Sequence, residues 1–217
     1  MSDLLTLQSL PLFPLNTVLF PGGSLQLQIF EVRYLDLISR CDDTGAPFGI
    51  VALTKGEEVR RPDPQARDGV ADEVFADVGT LTTVSTLSAP KAGLLLVRCT
   101  AGERFRITRR ERLKHGLWVA DVELLPADQA VPVPDDLRVV SQALQSLLEN
   151  LHLRGEGDRL SAQLPYRFDD CAWVANRWCE LLQLPQPLRQ SLLELDSPLL
   201  RLELVGDFLN RSGIAEV

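Results

Sequence analysis

The sequence of 217 residues is poor in the side chains that most often carry chemistry. It has two histidines, His115 and His152, and three lysines, Lys55, Lys91 and Lys114. A zinc site of three or four ligands would have to draw on scattered thiols and carboxylates. A Ser-Lys dyad has few possible members. No GxxxxGK[ST] is present to cradle a nucleotide's phosphates, and no GxGxxG; Gly155-Glu156-Gly157 follows a helical pattern, not a strand, and lacks the third glycine. There is no GxSxG, no HExxH and no CxxC. No run approaches the roughly 20 apolar residues that span a bilayer. The opening MSDLLTLQSLPLF lacks both a basic n-region and a continuous apolar core, so no secretory signal is expected and the chain reads as cytoplasmic.

What is present is ordinary globular material: 45% hydrophobic, 24% charged, with a formal net charge of −8. That suffices to bury a core, and it disfavours unspecific binding to phosphate backbones. Cys41, Cys99, Cys171 and Cys179 each lie in or beside an apolar run and read as reduced, buried thiols. The acidic pairs Asp42-Asp43, Glu57-Glu58, Asp135-Asp136 and Asp169-Asp170 fall at helix starts or in polar loops, where capping and solvation account for them. His115 is placed in a turn between strands and His152 at a helix C-terminus, where a partial positive charge suits the dipole. Trp118, Trp173 and Trp178 sit among apolar neighbours and read as core.

The chain divides by period. From Leu10 to about Leu125 the runs are short and broken by Gly and Pro. Pro11, Pro14 and Pro21 exclude a helix at the start and confine a strand there to an edge or a strand start. In SLQLQIF, Leu25, Leu27 and Ile29 alternate with polar residues, the pattern of a strand with one buried face. A helical stripe follows in Phe30, Tyr34, Leu37 and Ile38, with Glu31, Arg33, Asp36 and Arg40 largely on the other side. FGIVAL is short enough for a buried strand, and Thr54 to Asp72 is polar enough to be exposed and mobile. VFADVGTLTTVSTLS, LLLVRCT, RFRITRR and LWVADVELL predict strands, with turns at Lys91-Ala92-Gly93 and Ala101-Gly102.

Beyond the connector PADQAVPVPDD the period becomes helical. Leu137, Val140, Leu144, Leu147, Leu148 and Leu151 form one stripe, with Asp135 or Asp136 as N-cap, and RGEGDR ends the helix. DDCAWVANRWCELL starts from Asp169 or Asp170 and stacks Val174, Trp178 and Leu181. PLRQSLLEL and a helix capped by Ser197 with Pro198 at its first position complete the series, the last carrying Leu202, Val205 and Leu209. Strands followed by helices mean α+β, with expected subdomains at residues 1–126 (β-rich, closed on itself) and 127–217 (helical).

The single basic concentration is Arg98, Arg104, Arg106, Arg109, Arg110, Arg112 and Lys114, with Phe105 and Ile107 interleaved. Alternation turns Arg104 and Arg106 outward and the apolar residues inward, the look of a half-exposed strand. The same strip is the feature on which an RNA-binding reading would rest.

The blocks LPLFPLNTVLFPGGSLQLQIFEVRYLDLISRC, VGTLTTVSTLSAPKAGLLLVRCTAGERFRI and LLQLPQPLRQSLLELDSPLLRLELVGDFL resemble, in that order, the N-terminal domain of ATP-dependent Lon proteases. The resemblance covers most of residues 10–210. It implies a β pseudo-barrel of the PUA-like kind followed by a C-terminal α-helical bundle, and a role in recognising unfolded or damaged polypeptides. The sequence ends at Val217, where the family's proteases continue into a long helix, an ATPase and a Ser-Lys peptidase, so neither activity carries over. The family supplies no binding motif that transfers residue by residue. No catalytic, metal or cofactor site is expected. The expectation is a non-enzymatic module that binds polypeptide clients, or an adaptor or regulator serving a protease or ATPase partner. RNA binding through the Arg98–Lys114 strip is the alternative, and a hydrolase the least supported.

Overall fold

A computed structural model describes residues 5–58, 73–156 and 164–213. Most of the polar stretch at 54–72, and the end of RGEGDR from Gly157, lie outside them. The chain forms two compact units, one of residues 1–21 and 25–126, the other of residues 22–24 and 127–217.

In the first unit the described elements are β1 (Thr6–Leu15), β2 (Ser24–Ile29), α1 (Val32–Thr44), β3 (Phe48–Lys55), β4 (Val74–Phe75), β5 (Val78–Lys91), β6 (Leu94–Arg112) and β7 (Trp118–Leu124). Strands β1, β7, β6, β5 and β3 pair in that order, and β1 pairs again with β3 in parallel, so the ring closes. Closure removes the unpaired backbone rows that an open sheet would present. β4 joins β3, and β2 joins β6 outside the ring.

The proline-rich first strand is therefore the closing strand and not a simple edge. Residues from Thr6 to Leu12 pair with β7, and those from Leu12 to Leu15 pair with β3. Pro11 lies opposite Val119 and Pro14 opposite Val51, so each sits where only one neighbour is paired. A residue with no N–H is tolerated on such a half-paired stretch.

The barrel interior is built around Phe105, which is fully buried with Leu10, Leu12, Val51, Leu53 and Val122. Two facing strands make room by having no side chain there. A Cβ on Gly79 would lie 2.5 Å from the Ile50 carbonyl oxygen and 2.7 Å from the Phe105 ring, and one on Gly49 would lie 2.7 Å from the same ring. On the opposite face of β3, Phe48 and Ile50 join Tyr34, Leu37, Ile38 and Cys41 of α1 in a second core.

LLLVRCT and RFRITRR are one continuous strand, β6. Ala101-Gly102, expected as a turn, is a bulge: Thr82 pairs with Ala101 but Thr80 pairs with Arg104, which inserts an extra residue in β6. The insertion switches the faces. Leu95, Val97, Cys99 and Ala101 point into the α1 core, whereas Phe105 and Ile107, of the same parity, point into the barrel. Arg104, expected outward, is only 3% exposed and donates to the Pro126 carbonyl at 3.3 Å.

The α1 expectation needs three corrections. The helix begins at Val32, and Phe30 lies outside it, 53% exposed. Arg33, assigned to the polar face, is buried, donating to the Gly116 carbonyl at 2.8 Å and to Glu73 at 3.1 Å. Glu73 also accepts from the Trp118 indole at 2.7 Å, so one buried carboxylate ties the helix to the β6–β7 turn. At the other end the helix runs to Thr44 before Gly45 stops it at φ 67°, which places Asp42-Asp43 in its last turn instead of a loop.

The second unit has a 3-10 turn (Asp135–Leu137), α2 (Arg138–Leu153), α3 (Cys171–Leu181), α4 (Gln186–Glu194) and α5 (Pro198–Arg211). Asp135 and Asp136 lie within the 3-10 turn and make no side-chain cap. Asp170 and Ser197 do cap, accepting from the Trp173 and Leu200 amides at 3.1 and 3.3 Å. The stripe expected on α3 understates it, since every residue from Cys171 to Cys179 is buried. Among these, Arg177 donates to the Gly22 carbonyl at 2.5 Å and to Glu180 at 2.9 Å. Arg201 of α5 is fully buried, bonded to both oxygens of Asp128, to Asn176 and to the Leu192 and Leu195 carbonyls at the end of α4.

Candidate functional site

The alternation in β2 leaves Gln26 and Gln28 exposed while Ile29 is buried. Among the described residues β2 pairs with β6 alone. A cavity of about 270 Å³ borders the strand, lined by its residues from Gln26 to Ile29 and by β1 and α1 but by no residue of β6. It therefore lies on the side that β2 leaves unpaired. Its floor is Phe13 stacked on Tyr34, ring centroids 3.9 Å apart and planes 19° from parallel. Phe30 forms an exposed apolar lip, and among the described residues Glu31 and Glu58 supply the charges of the lining.

The carboxylates have different settings. Glu31 pairs with the Arg33 guanidinium at 3.3 Å, and Glu58 accepts from the Asn16 amide at 2.5 Å. Burial pulls the Arg33 guanidinium down, but Tyr34, Glu73 and Glu31 more than offset this, and its pKa lies above the usual value. It is a fixed positive charge.

Of the reactive groups singled out in the sequence, Glu58 lies here, and none of the cysteines or histidines does. All four cysteines are free and buried. Burial raises the Cys41 thiol, pushes Cys99 and Cys179 up to about 12 and Cys171 to about 11, which makes them poor nucleophiles at neutral pH. His115 is exposed in the β6–β7 turn, while His152 bonds to the Leu148 carbonyl at 2.8 Å and faces the Tyr166 hydroxyl at 3.3 Å. Trp173 and Trp178 are core, and Trp118 is half-buried against Phe75. Among the described residues no three His, Cys, Asp or Glu side chains are placed to hold a metal ion. Nor is any described helix long and apolar enough to cross a membrane.

The basic strip does not form a continuous surface. Arg104 is buried, Arg110 pairs with Asp77, Arg109 lies near Glu111 and Asp121, and Arg112 stacks over the Trp118 ring at 5.7 Å. Carboxylates that interleave with the guanidiniums remove the uniform positive field on which phosphate binding depends.

Phe30, Glu31 and Glu58 were not distinguished by sequence as a site. The available signal was an aromatic residue directly after a period-two run, and it was absorbed into the helix pattern instead.

Fold and site define an α+β protein built on a PUA-like β pseudo-barrel with a C-terminal helical unit. The chain belongs to the family described as the ATP-dependent protease La (LON) substrate-binding domain, whose model matches residues 9–211. A Lon N-terminal domain protein from Xanthomonas campestris, known from its crystal structure, is 31% identical over 92% of this chain and 97% of its own, with a TM-score of 0.69. The N-terminal domain of Mycobacterium avium complex Lon protease is similar in fold, with 16% identity, 93% and 97% coverage and a TM-score of 0.56. No curated protein matches the chain.

Proposed function

We propose that this chain binds unfolded or damaged polypeptide in extended form, acting as an adaptor or regulator of proteolysis with no reaction of its own. The observation that carries the reading is the side of β2 that, among the described residues, pairs with no strand, beside the Phe13–Tyr34 floor. A strand edge supplies backbone donors and acceptors to any sequence, and a neighbouring apolar hollow takes alternate side chains. At about 270 Å³ the hollow suits one large side chain better than a drug-sized ligand, whose pockets run from roughly 300 to 1,000 Å³. The family's description as a substrate-binding domain supports the same role.

The test is binding of the immobilised protein to an unfolded chain and to its folded counterpart, repeated with Phe30→Asp. Selective capture of the unfolded form, reduced several-fold by the substitution, is expected. Equal and negligible capture of both forms would sink the proposal.

A further inference from the structure

Resting on that reading, we infer that the β2 cavity selects segments in which a large apolar residue lies two positions from a lysine or arginine. The floor is apolar, and among the described residues the charged members of the lining, Glu31 and Glu58, are acidic. Arg33 does not cancel them. It is shared between Glu31 and Glu73, whose side chains are 20% and 4% exposed, so it is not devoted to Glu31, the more exposed of the two. Glu58 adds a second negative charge, and its bond to the Asn16 amide uses a single oxygen. A carboxylate accepts through two oxygens, so both retain capacity for a donor from outside.

An extended segment paired with β2 places residues i and i+2 on one face, about 7 Å apart. An apolar side chain entering over Phe13 and Tyr34 thus brings a basic neighbour to the rim. The formal charge of −8 draws the same segments in from a distance and repels acidic ones.

The experiment uses the full chain and three labelled ten-residue peptides of strand-forming composition. They differ only in carrying Lys, Gln or Glu two positions from a central Phe. Fluorescence anisotropy is expected to give the Lys peptide roughly five- to tenfold tighter binding than the Gln peptide, the order that two half-exposed ion pairs supply. The Glu peptide should bind weakest. The Lys-to-Gln ratio should fall towards one in high salt, and also in Glu31→Gln/Glu58→Gln. Taking a ratio within each variant removes any general loss of fold, and Glu58→Gln alone should shift it part of the way. Equal binding of Lys and Gln peptides overturns the selectivity while leaving polypeptide binding intact. A ratio that survives in the double variant also overturns it, because the selecting charge would lie elsewhere. Absence of binding by all three peptides overturns both readings.

Discussion

Replacing Gly79 by alanine tests how the barrel interior is filled. In an unobstructed strand the change would stabilise by about 0.5–1 kcal/mol, because alanine has less backbone freedom to lose. Here the new methyl would lie 2.5 Å from the Ile50 carbonyl oxygen, 2.7 Å from Phe105 Cζ and 2.7 Å from Val51 Cγ1. Two of these neighbours are side chains, but the first is backbone of the paired strand and moves only if the ladder moves. Overpacking of this kind costs roughly 1–3 kcal/mol and occasionally more, and a backbone contact belongs at the upper end. Gly79→Ala is therefore expected to lose about 3 kcal/mol. For Gly49→Ala the nearest atoms belong to the Phe105 ring and Leu12, both side chains, and the loss should be about 1–2 kcal/mol. Trimming the shared ring separates the two. In a Phe105→Leu background the Gly49→Ala cost should fall to what the Leu12 contact leaves, whereas most of the Gly79→Ala cost should persist because the Ile50 carbonyl remains. Urea unfolding followed by hydrogen exchange of β3 and β5 amides measures this unit separately from the helical one. A Gly79→Ala protein within about 0.5 kcal/mol of the parent, the range of surface substitutions, would refute the reasoning. So would stronger coupling of Phe105 to Gly79 than to Gly49.

Arg201→Met should cost about 3–5 kcal/mol, since it removes a buried guanidinium's bonds to Asp128 and to two helix-end carbonyls, and Arg201→Lys should not restore the loss because an ammonium lacks the five-donor fork; thermal unfolding of the helical unit reads both. The four buried thiols should resist a disulfide exchange reagent at neutral pH and react fully only in denaturant. Their raised pKa values also set a sign: the unfolded chain releases thiol protons from about pH 9 while folded Cys99 and Cys179 hold theirs to about 12, so stability should decline as pH rises through that window, measurable by urea midpoints. Asp170→Ala and Ser197→Ala should each cost about 1 kcal/mol through loss of an N-cap, with Asp170 the costlier because it also pairs with Arg167.

Local pattern alone determined much of this protein. The alternation of Leu25, Leu27 and Ile29, the buried FGIVAL strand, the Ser197-Pro198 helix start and the change from period two to helical period after the proline-rich connector all follow from residues close in sequence. The burial of the cysteines was legible for the same reason, because each sits in an apolar run. What tertiary structure decided lay where a residue's meaning depends on a distant partner. A glycine after Ala101 reads equally as a turn or a bulge, and only pairing with β5 made it a bulge that turned Arg104 inward. Arg33 looked like a solvated charge until Glu73 and the Gly116 carbonyl were brought to it. The edge beside the cavity was hidden in the same way, since among the described residues β2 pairs with β6 alone while β1 is engaged in closing the barrel. Hydrophobic period reports which face of an element is buried, and it carries no information on which strand covers an edge or which carboxylate meets a buried cation.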